Sequence, residues 1–346
     1  MRHNILAILL VVLLLLPASA SANERSLNLC MWAEAFPNWV FDQFQHETGI
    51  KVYSSFYASE DIMLQRVSEN PGHFDLVECS PSYVFQQLME NSLVASIERD
   101  KFPYWDMLNP NIRTTGLDPD MRYMLPYVWG SLLIAVNPQL LDPALITGFG
   151  DLWGQQVNGS LLLPDELRSV FSFTLLTMGL SPNDNNLQNW QQAMLKLEKL
   201  INRNTIIATN SMEPLLNGRV MAAVSWNGAV LEAVRENPDL RVIEPSEGAI
   251  LWFDGFFIPA KARNVEEAYA FLRFIFRPDI CARVTQDTLY ATTNEEARQL
   301  LPKHISSNLL IYPSNDAMKR AIMEEPLPGL MREEQQIWSR LRATIE

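Results

Sequence analysis

Short β-rich runs and helical segments alternate along the first third of the chain. Strands are predicted at residues 27–32, 50–56 and 74–77, and helices at residues 39–48, from Ser59 onward and at residues 83–90. Ser59 suits the N-cap of the second helix, and Glu60 and Asp61 suit the positive end of its dipole. Because strands and helices alternate at this spacing, we predict a parallel sheet covered by helices.

Two longer extended segments, residues 123–137 and 249–259, connect this region to a second α/β region. The second region alternates in the same way, with short elements predicted at residues 159–163, 168–178, 190–201, 220–226 and 241–244. The C-terminal third is mainly helical, most clearly at residues 265–276 and 333–344. We therefore predict an α/β fold of two lobes, joined by extended hinge segments, with a ligand cleft between them.

The N-terminus has the layout of a secretory signal peptide. A short basic start is followed by the apolar run of residues 5–16 and by the small residues at 18–22. The apolar run is shorter than the roughly 18 residues that a membrane-spanning helix needs. We expect cleavage after Ala20 or Ala22, removal of residues 1–22, and a mature chain exported to the periplasm without membrane insertion.

The charge and the motif content exclude several classes of function. The 346 residues include 27 Lys and Arg against 40 Asp and Glu, a formal net charge of −13. Nucleic acid binding needs clustered basic side chains, so this balance argues against it. The sequence lacks the common hydrolase, phosphate-loop and zinc motifs, and its four His residues are scattered. We therefore expect a binding protein with no catalysis, cofactor or metal.

The three Cys residues leave one pairing open. Cys30 and Cys79 each end a predicted strand, and Cys281 lies in a helical segment. Export places the chain in an oxidising compartment, so a Cys30–Cys79 disulfide can form if the two strands are neighbours with suitable geometry. Because the number of Cys residues is odd, at least one thiol stays outside such a pair.

Two of the nine Trp residues stand two positions before an acid in extended chain. These pairs are Trp32 with Glu34 and Trp252 with Asp254. Residues two apart in a strand point to the same face, so each segment presents an indole beside a carboxylate. That pair suits an alkylammonium group, because the indole attracts the cation and the carboxylate accepts its hydrogen bonds. The spacing is also compatible with two Trp residues that simply fill a core.

Beyond these pairs, the sequence resembles the periplasmic spermidine/putrescine-binding proteins of polyamine transporters. The similarity runs from about Leu27 to the C-terminal helix and rests on short collinear blocks at residues 47–52, 75–77, 126–130, 159–163, 226–228, 247–254 and 277–279. The resemblance implies a monomeric, two-lobed periplasmic binding protein of type II that closes on a linear polyamine. We expect lobe I to comprise residues 23–130 plus 254–305, and lobe II residues 131–253 plus 306–346.

The resemblance also implies a ligand site built from aromatic walls, carboxylates and small polar groups. The matching aromatic residues are Trp32, Trp226, Trp252 and Tyr290. The matching carboxylates are Glu34, Asp165, Glu166 and Asp254, and Glu325 or its neighbour Glu324 matches a polar contact near the C-terminus. Ser80 and Ser82 match the polar segment that follows the third strand.

Four positions depart from the family pattern and bear on the function. Ala33 and Ala35 replace Thr and Tyr, Ser82 replaces a common Tyr, and Ser169 replaces a second Glu of the spermidine binders. We therefore expect a small cationic polyamine of the spermidine, putrescine or norspermidine class, with altered amine spacing or affinity. The expected partner is the permease of an ABC transporter. The alternative is a polyamine sensor that regulates the periplasmic domain of a membrane signalling receptor.

Overall fold

A computed structural model of the protein describes residues 25–33, 35–109, 112, 117–208, 211–327, 329 and 331–343, without the side chains of residues 331–335. The predicted signal peptide and Glu34 lie outside the described residues. In the part of the chain that is described, no helix is both long and apolar enough to cross a membrane.

The described residues form eleven strands and thirteen helices. The strands are β1 Ser26–Trp32, β2 Lys51–Tyr57, β3 Leu76–Cys79, β4 Leu125–Val136, β5 Leu161–Pro164, β6 Ile206–Ala208, β7 Ala222–Trp226, β8 Arg241–Ile243, β9 Ile250–Phe257, β10 Ala291–Thr292 and β11 Ile322–Met323. The helices are α1 Trp39–Thr48, α2 Glu60–Glu69, α3 Tyr83–Glu90, α4 Leu167–Leu176, α5 Leu187–Leu200, α6 Glu213–Leu216, α7 Asn227–Glu236, α8 Val265–Ile275, α9 Pro278–Thr288, α10 Glu295–Leu300, α11 Lys303–Ser306, α12 Asn315–Arg320 and α13 Met331–Arg342. Ser59 is the N-cap residue of α2, as predicted.

The sheet of the first lobe is built around β1. Strand β1 pairs in parallel with β2 along its whole length and with β3 on its other side. Strand β9 adds to β3 in antiparallel orientation, and β4 adds to β9. The predicted parallel sheet is therefore confirmed for β1 to β3, and the two long extended segments complete it.

Strand β4 belongs to both lobes. Its first half, through Ser131, pairs with β9, whereas its second half, from Leu132, pairs with β7. Strand β7 continues in parallel to β5, and β5 to β6. In the second half Leu132 and Ile134 enter one apolar cluster and Leu133 enters another, because alternate side chains point to opposite faces. Both faces of β4 are covered, in keeping with the burial of all twelve of its residues.

Each lobe has its own aromatic core. In the first lobe Phe44 and Phe256 pack around Phe271, and in the second lobe Phe171 stacks on Trp190 with ring centroids 4.6 Å apart. Burial of each such side chain contributes about 1.5–3 kcal/mol. The protein is therefore a two-lobed α/β structure, as predicted. The assignment of particular residue ranges to each lobe stays a prediction.

The three Cys residues are free and buried, so the disulfide considered for Cys30 and Cys79 is not formed. Strands β1 and β3 are neighbours, but Cys30 aligns with Val77 and Cys79 lies two residues further along. Strand spacing and rise place the two Cα atoms about 8 Å apart, beyond the ~7 Å limit for a disulfide. Burial raises the pKa of the Cys30 thiol to about 11, which keeps it in its unreactive form.

Candidate ligand-binding cleft

The predicted site residues cluster where parallel strands end. Strand β1 ends at Trp32, Ser80 follows β3, Glu166 follows β5, and β7 ends at Trp226. Because parallel strands present their carboxyl ends at one edge of a sheet, these residues face the crevice where ligands bind in open α/β folds. Strand β9, which borders β4 at the junction of the lobes, adds further side chains.

Three aromatic rings form one wall of this cleft. Trp252 on β9 packs edge-on against Trp226, with ring centroids 5.8 Å apart and an interplanar angle of 66°. Tyr290 also packs edge-on against Trp252, at 4.9 Å and 88°. A Cβ atom on Gly228 would lie 2.4 Å from the Tyr290 ring, so only glycine allows the start of α7 to approach this close. Trp32 lies instead against Tyr57, with centroids 4.3 Å apart.

In the first lobe, Ser80 connects two carboxyl groups. Its hydroxyl donates to Asp254 Oδ1 at 2.6 Å, and its backbone N–H donates to Glu60 Oε1 at 3.1 Å. Glu60 also accepts a hydrogen bond from the Ser82 hydroxyl. Glu78 lies close by on β3, is only 1 % exposed, and has one carboxyl oxygen without a hydrogen-bond partner among the described residues.

In the second lobe, Ser169 lies between two further carboxyl groups. Its hydroxyl oxygen is 3.3 Å from Glu166 Oε2 and 3.4 Å from Glu324 Oε2. Ser169 is fully buried on α4, whereas Glu166, the N-cap residue of that helix, is an exposed residue whose carboxyl group turns inward to Ser169. The other carboxyl oxygen of Glu324 is buried and has no partner in the described structure.

Burial raises the pKa values of four of these groups, Glu60, Glu78, Glu166 and Asp254, and for the first three repulsion by neighbouring acids adds to the rise. Burial is the first cause for each, and it contributes most to a pKa of about 8 for Glu60 and Glu166 and of about 6 for Asp254. Burial also holds the pKa of Glu78 well above its usual range, with Asp254 adding to the rise. The pKa of Glu166 is raised further by Glu324, Glu60 and Asp254. The ionised forms of these acids are therefore disfavoured both by burial and by one another.

These carboxyl groups have no basic partner in the protein that the structure describes. The five groups are those of Glu60, Glu78, Glu166, Asp254 and Glu324. No described Lys, Arg or His nitrogen lies within 4.0 Å of any of their carboxyl oxygens. Arg168 is the nearest base to Glu166 in sequence, but its guanidinium donates to Ser172 and Asn183. No group of three or more metal-ligating side chains in the described ranges has the geometry to hold an ion. The cleft can therefore pair with an external cation.

Two predicted site residues take other roles, and a third, Ser82, combines its contact with Glu60 with a structural role. Asp165 is directed to the C-terminal helix, where Trp338 and Arg342 each donate to it at 3.2 Å. Glu325 is exposed, and only its backbone is engaged, by Asn183 and Arg168, so Glu324 is the acid that reaches the cleft. Ser82 caps α3 by accepting from the Val84 N–H at 3.1 Å. The predicted contribution of Glu34 falls outside the described residues.

Sequence reasoning missed Glu60 and Glu78. Glu60 was explained by the dipole of α2, which any acid at that position would satisfy. Glu78 could have been found, because an acid inside the buried run Leu76–Cys79 needs a special reason to be there. In the sequence Ser169 stands out only as a departure from the family pattern, although in the structure it connects Glu166 to Glu324.

A crevice between two α/β lobes, lined by aromatic rings and hydrogen-bonding side chains, defines a protein that binds a small solute. Residues 39–311 match the sequence model of the bacterial extracellular solute-binding proteins. The chain belongs to this family and is a solute-binding protein, not an enzyme.

Individual relatives carry more specific names. The spermidine/putrescine-binding periplasmic protein of Escherichia coli K12 is 31 % identical over 328 residues, covering 94 % of each chain. The putrescine-binding periplasmic protein PotF of the same organism is 25 % identical and covers 93 % of each chain. Among solved structures, a putative spermidine/putrescine ABC transporter protein from Listeria monocytogenes aligns with a TM-score of 0.84 and 28 % identity, over 92 % of this chain and 99 % of its own. The predicted family resemblance is confirmed.

Proposed function

We propose that this protein binds a linear polyamine of the spermidine, putrescine or norspermidine class in the periplasm and delivers it to the permease of an ABC transporter. The observation that carries the proposal is the cleft itself, which combines three packed aromatic rings with carboxyl groups that have no basic partner among the described residues. A polyamine offers the complementary chemistry, because its ammonium groups are cationic and the methylene chain between them is apolar.

The aromatic rings and the carboxyl groups would make different contributions to binding. A desolvated ammonium over an indole face gains about 2 kcal/mol. Asp254 and Glu166 offer charged acceptors from the first and second lobes, and hydrogen bonds to charged groups are stronger than those between neutral ones. A ligand with amines at both ends satisfies acceptors on both lobes, whereas a single cation satisfies only one set.

The transport role and the location draw support from the relatives. Several are named as periplasmic binding proteins for spermidine and putrescine, and the Listeria monocytogenes protein is named as part of an ABC transporter. The signal-peptide layout of residues 1–22 agrees with export.

A thermal-shift panel tests the ligand class. The panel contains putrescine, spermidine, norspermidine, spermine, two amino acids and a sugar. A ligand at 100 times its Kd stabilises the folded state by about 2.7 kcal/mol, so polyamines should raise the melting temperature by several degrees. A response to the sugar or to an amino acid alone would refute the proposal.

A second experiment tests delivery to a permease. Deletion of the gene should abolish uptake of radiolabelled polyamine, and the wild-type gene should restore it. Unchanged uptake by the deletion strain, combined with tight binding by the purified protein, would refute transport and favour the signalling alternative.

A further inference from the structure

Glu324 reaches the cleft from a segment that follows the short strand β11. Strand β11 pairs with β9, and Glu324 is the first residue after it. The side chain of Asn183, in the loop between α4 and α5, bonds this segment on both sides of Glu324. Its Nδ2 donates to the Met323 carbonyl at 3.0 Å, and its Oδ1 accepts from the Glu325 N–H at 2.9 Å. The amide therefore fixes the backbone immediately before and after Glu324.

Arg168 holds both parts of this contact in place. Its Nη2 donates to Asn183 Oδ1 at 2.8 Å and to the Glu325 carbonyl at 3.2 Å. Its Nη1 donates to atoms of α4 and of the loop that follows this helix. We propose that Asn183, supported by Arg168, is a positioning residue that sets Glu324 against the cationic ligand. Asn183 would thus control affinity without touching the ligand itself.

The segment carries two adjacent acids, and only one of them can face the cleft. Successive side chains in extended chain point in opposite directions, so a shift by one residue would replace Glu324 with Met323 or Glu325. Strand β11 has only two residues, so its own pairing controls the register weakly. Because the Asn183 amide bonds a carbonyl on one side of Glu324 and an N–H on the other, it selects a single register.

Without such support, the Glu324 side chain would have reason to leave the cleft. Ser169 Oγ lies 3.4 Å from Glu324 Oε2 and 3.3 Å from Glu166 Oε2, so two acids share one hydroxyl group and repel each other when ionised. The other Glu324 oxygen is buried without a partner among the described residues. Burying such an oxygen is costly unless a donor reaches it. The bonds to the neighbouring backbone hold Glu324 in place, and an ammonium group of the ligand supplies the missing donor.

A double-mutant cycle separates positioning from general stabilisation. Spermidine is titrated calorimetrically into the full mature protein carrying Asn183→Ala, Glu324→Ala or both. Glu324→Ala should weaken the Kd about tenfold, and Asn183→Ala about fivefold, because the ligand must then order the segment itself. If Asn183 acts through Glu324, the double variant should bind within about twofold of Glu324→Ala alone. Independent effects would instead multiply to about 50-fold.

Asn189→Ala is the matched control. The Asn189 amide makes a similar hydrogen bond nearby in the chain, donating to Asp184 Oδ2 at 2.9 Å, and no described bond joins it to residues 323–325. Its Kd should stay within about twofold of the wild type. If thermal unfolding shows that Asn183→Ala does not fold, Arg168→Lys replaces it in the cycle. Arg168→Lys keeps the positive charge but loses the forked contact, and its effect should likewise disappear when Glu324 is Ala.

The inference rests on the proposed polyamine function, and the outcomes separate the two. An unchanged Kd for Asn183→Ala, an unchanged Kd for Glu324→Ala, or multiplied effects in the double variant would each overturn the positioning role and leave the polyamine function standing. Absence of spermidine binding by the wild-type protein overturns both.

Discussion

Trp252 is the residue whose substitution tests the aromatic wall most directly. Its ring contacts both Trp226 and Tyr290. Trp252→Ala removes a cation–π contact worth about 2 kcal/mol to a desolvated ammonium, which corresponds to roughly a 30-fold weaker Kd. It also removes two aromatic pairs of about 0.5–1.5 kcal/mol each, so the free energy of unfolding should fall by ~1–3 kcal/mol.

Trp252→Phe separates the ring face from the indole N–H. Trp252 Nε1 is buried and has no hydrogen-bond partner in the described structure, so Phe leaves no protein acceptor unsatisfied. The Phe variant should therefore bind within about fivefold of the wild type, since it keeps an aromatic face. Trp39→Ala is a suitable control, because the Trp39 ring contacts Arg283 of the protein itself, at 3.8 Å from the ring centroid.

Isothermal titration with spermidine at pH 7.5 measures all three Kd values, and thermal unfolding checks the fold of each variant. An unchanged Kd for Trp252→Ala would refute the aromatic wall as a binding surface. If Trp252→Phe lost as much affinity as Trp252→Ala, the indole N–H, and not the ring face, would have to carry the interaction.

Three further substitutions test the acids. Asp254→Asn keeps the shape but removes the charge, so spermidine binding measured by calorimetry should weaken at least tenfold, about 1.4 kcal/mol, and an unchanged Kd would contradict the site. Glu166→Gln should weaken the Kd likewise, whereas Asp165→Asn should change it less than threefold because Asp165 contacts the C-terminal helix; equal effects would contradict this assignment. Asp75 is fully buried and accepts hydrogen bonds from three backbone N–H groups. Asp75→Ala should therefore lower the free energy of unfolding, measured in urea, by about 3 kcal/mol or more, without altering the Kd of the folded protein for spermidine. A loss below about 1 kcal/mol would argue against this structural role.

The sequence is most informative where one physical requirement acts on many consecutive residues. The apolar run that becomes β4 must be covered on both faces, and the pattern predicts a long buried segment that the structure contains at Leu125–Val136. Helix α3 is predicted at its observed bounds, Tyr83–Glu90. The two lobes follow from such regularities.

Individual site residues are harder to predict, because neighbours in extended chain point in opposite directions. Asp165 and Glu166 are adjacent and chemically similar, yet one contacts Arg342 and the other opens to the cleft. Glu324 and Glu325 differ in the same way. A one-residue step reverses the side-chain direction, and composition and spacing carry no information about which side faces the ligand.

Glu60 shows a second limit of prediction from sequence. Its position at the start of a helix already explains an acid there, so its contact with a distant segment is not suspected. The N-terminus of α2 favours an acid at that position, but the same carboxylate also accepts from Ser80, 20 residues further along the chain. Only the pairing of β1 with both β2 and β3 brings these segments together. Long-range pairing of this kind has no signature within either segment.

The distribution of the acids over both lobes suggests how a ligand would be recognised. Asp254 is held by Ser80 of the first lobe, whereas Glu166 and Glu324 are joined by Ser169 of the second. An ammonium group between these acids favours their ionised form and is attracted from both sides. A polycation would therefore draw the lobes together, whereas a neutral ligand of equal size would leave the acids without a counter-charge. Charge, more than shape alone, would thus decide which solutes stabilise the closed arrangement.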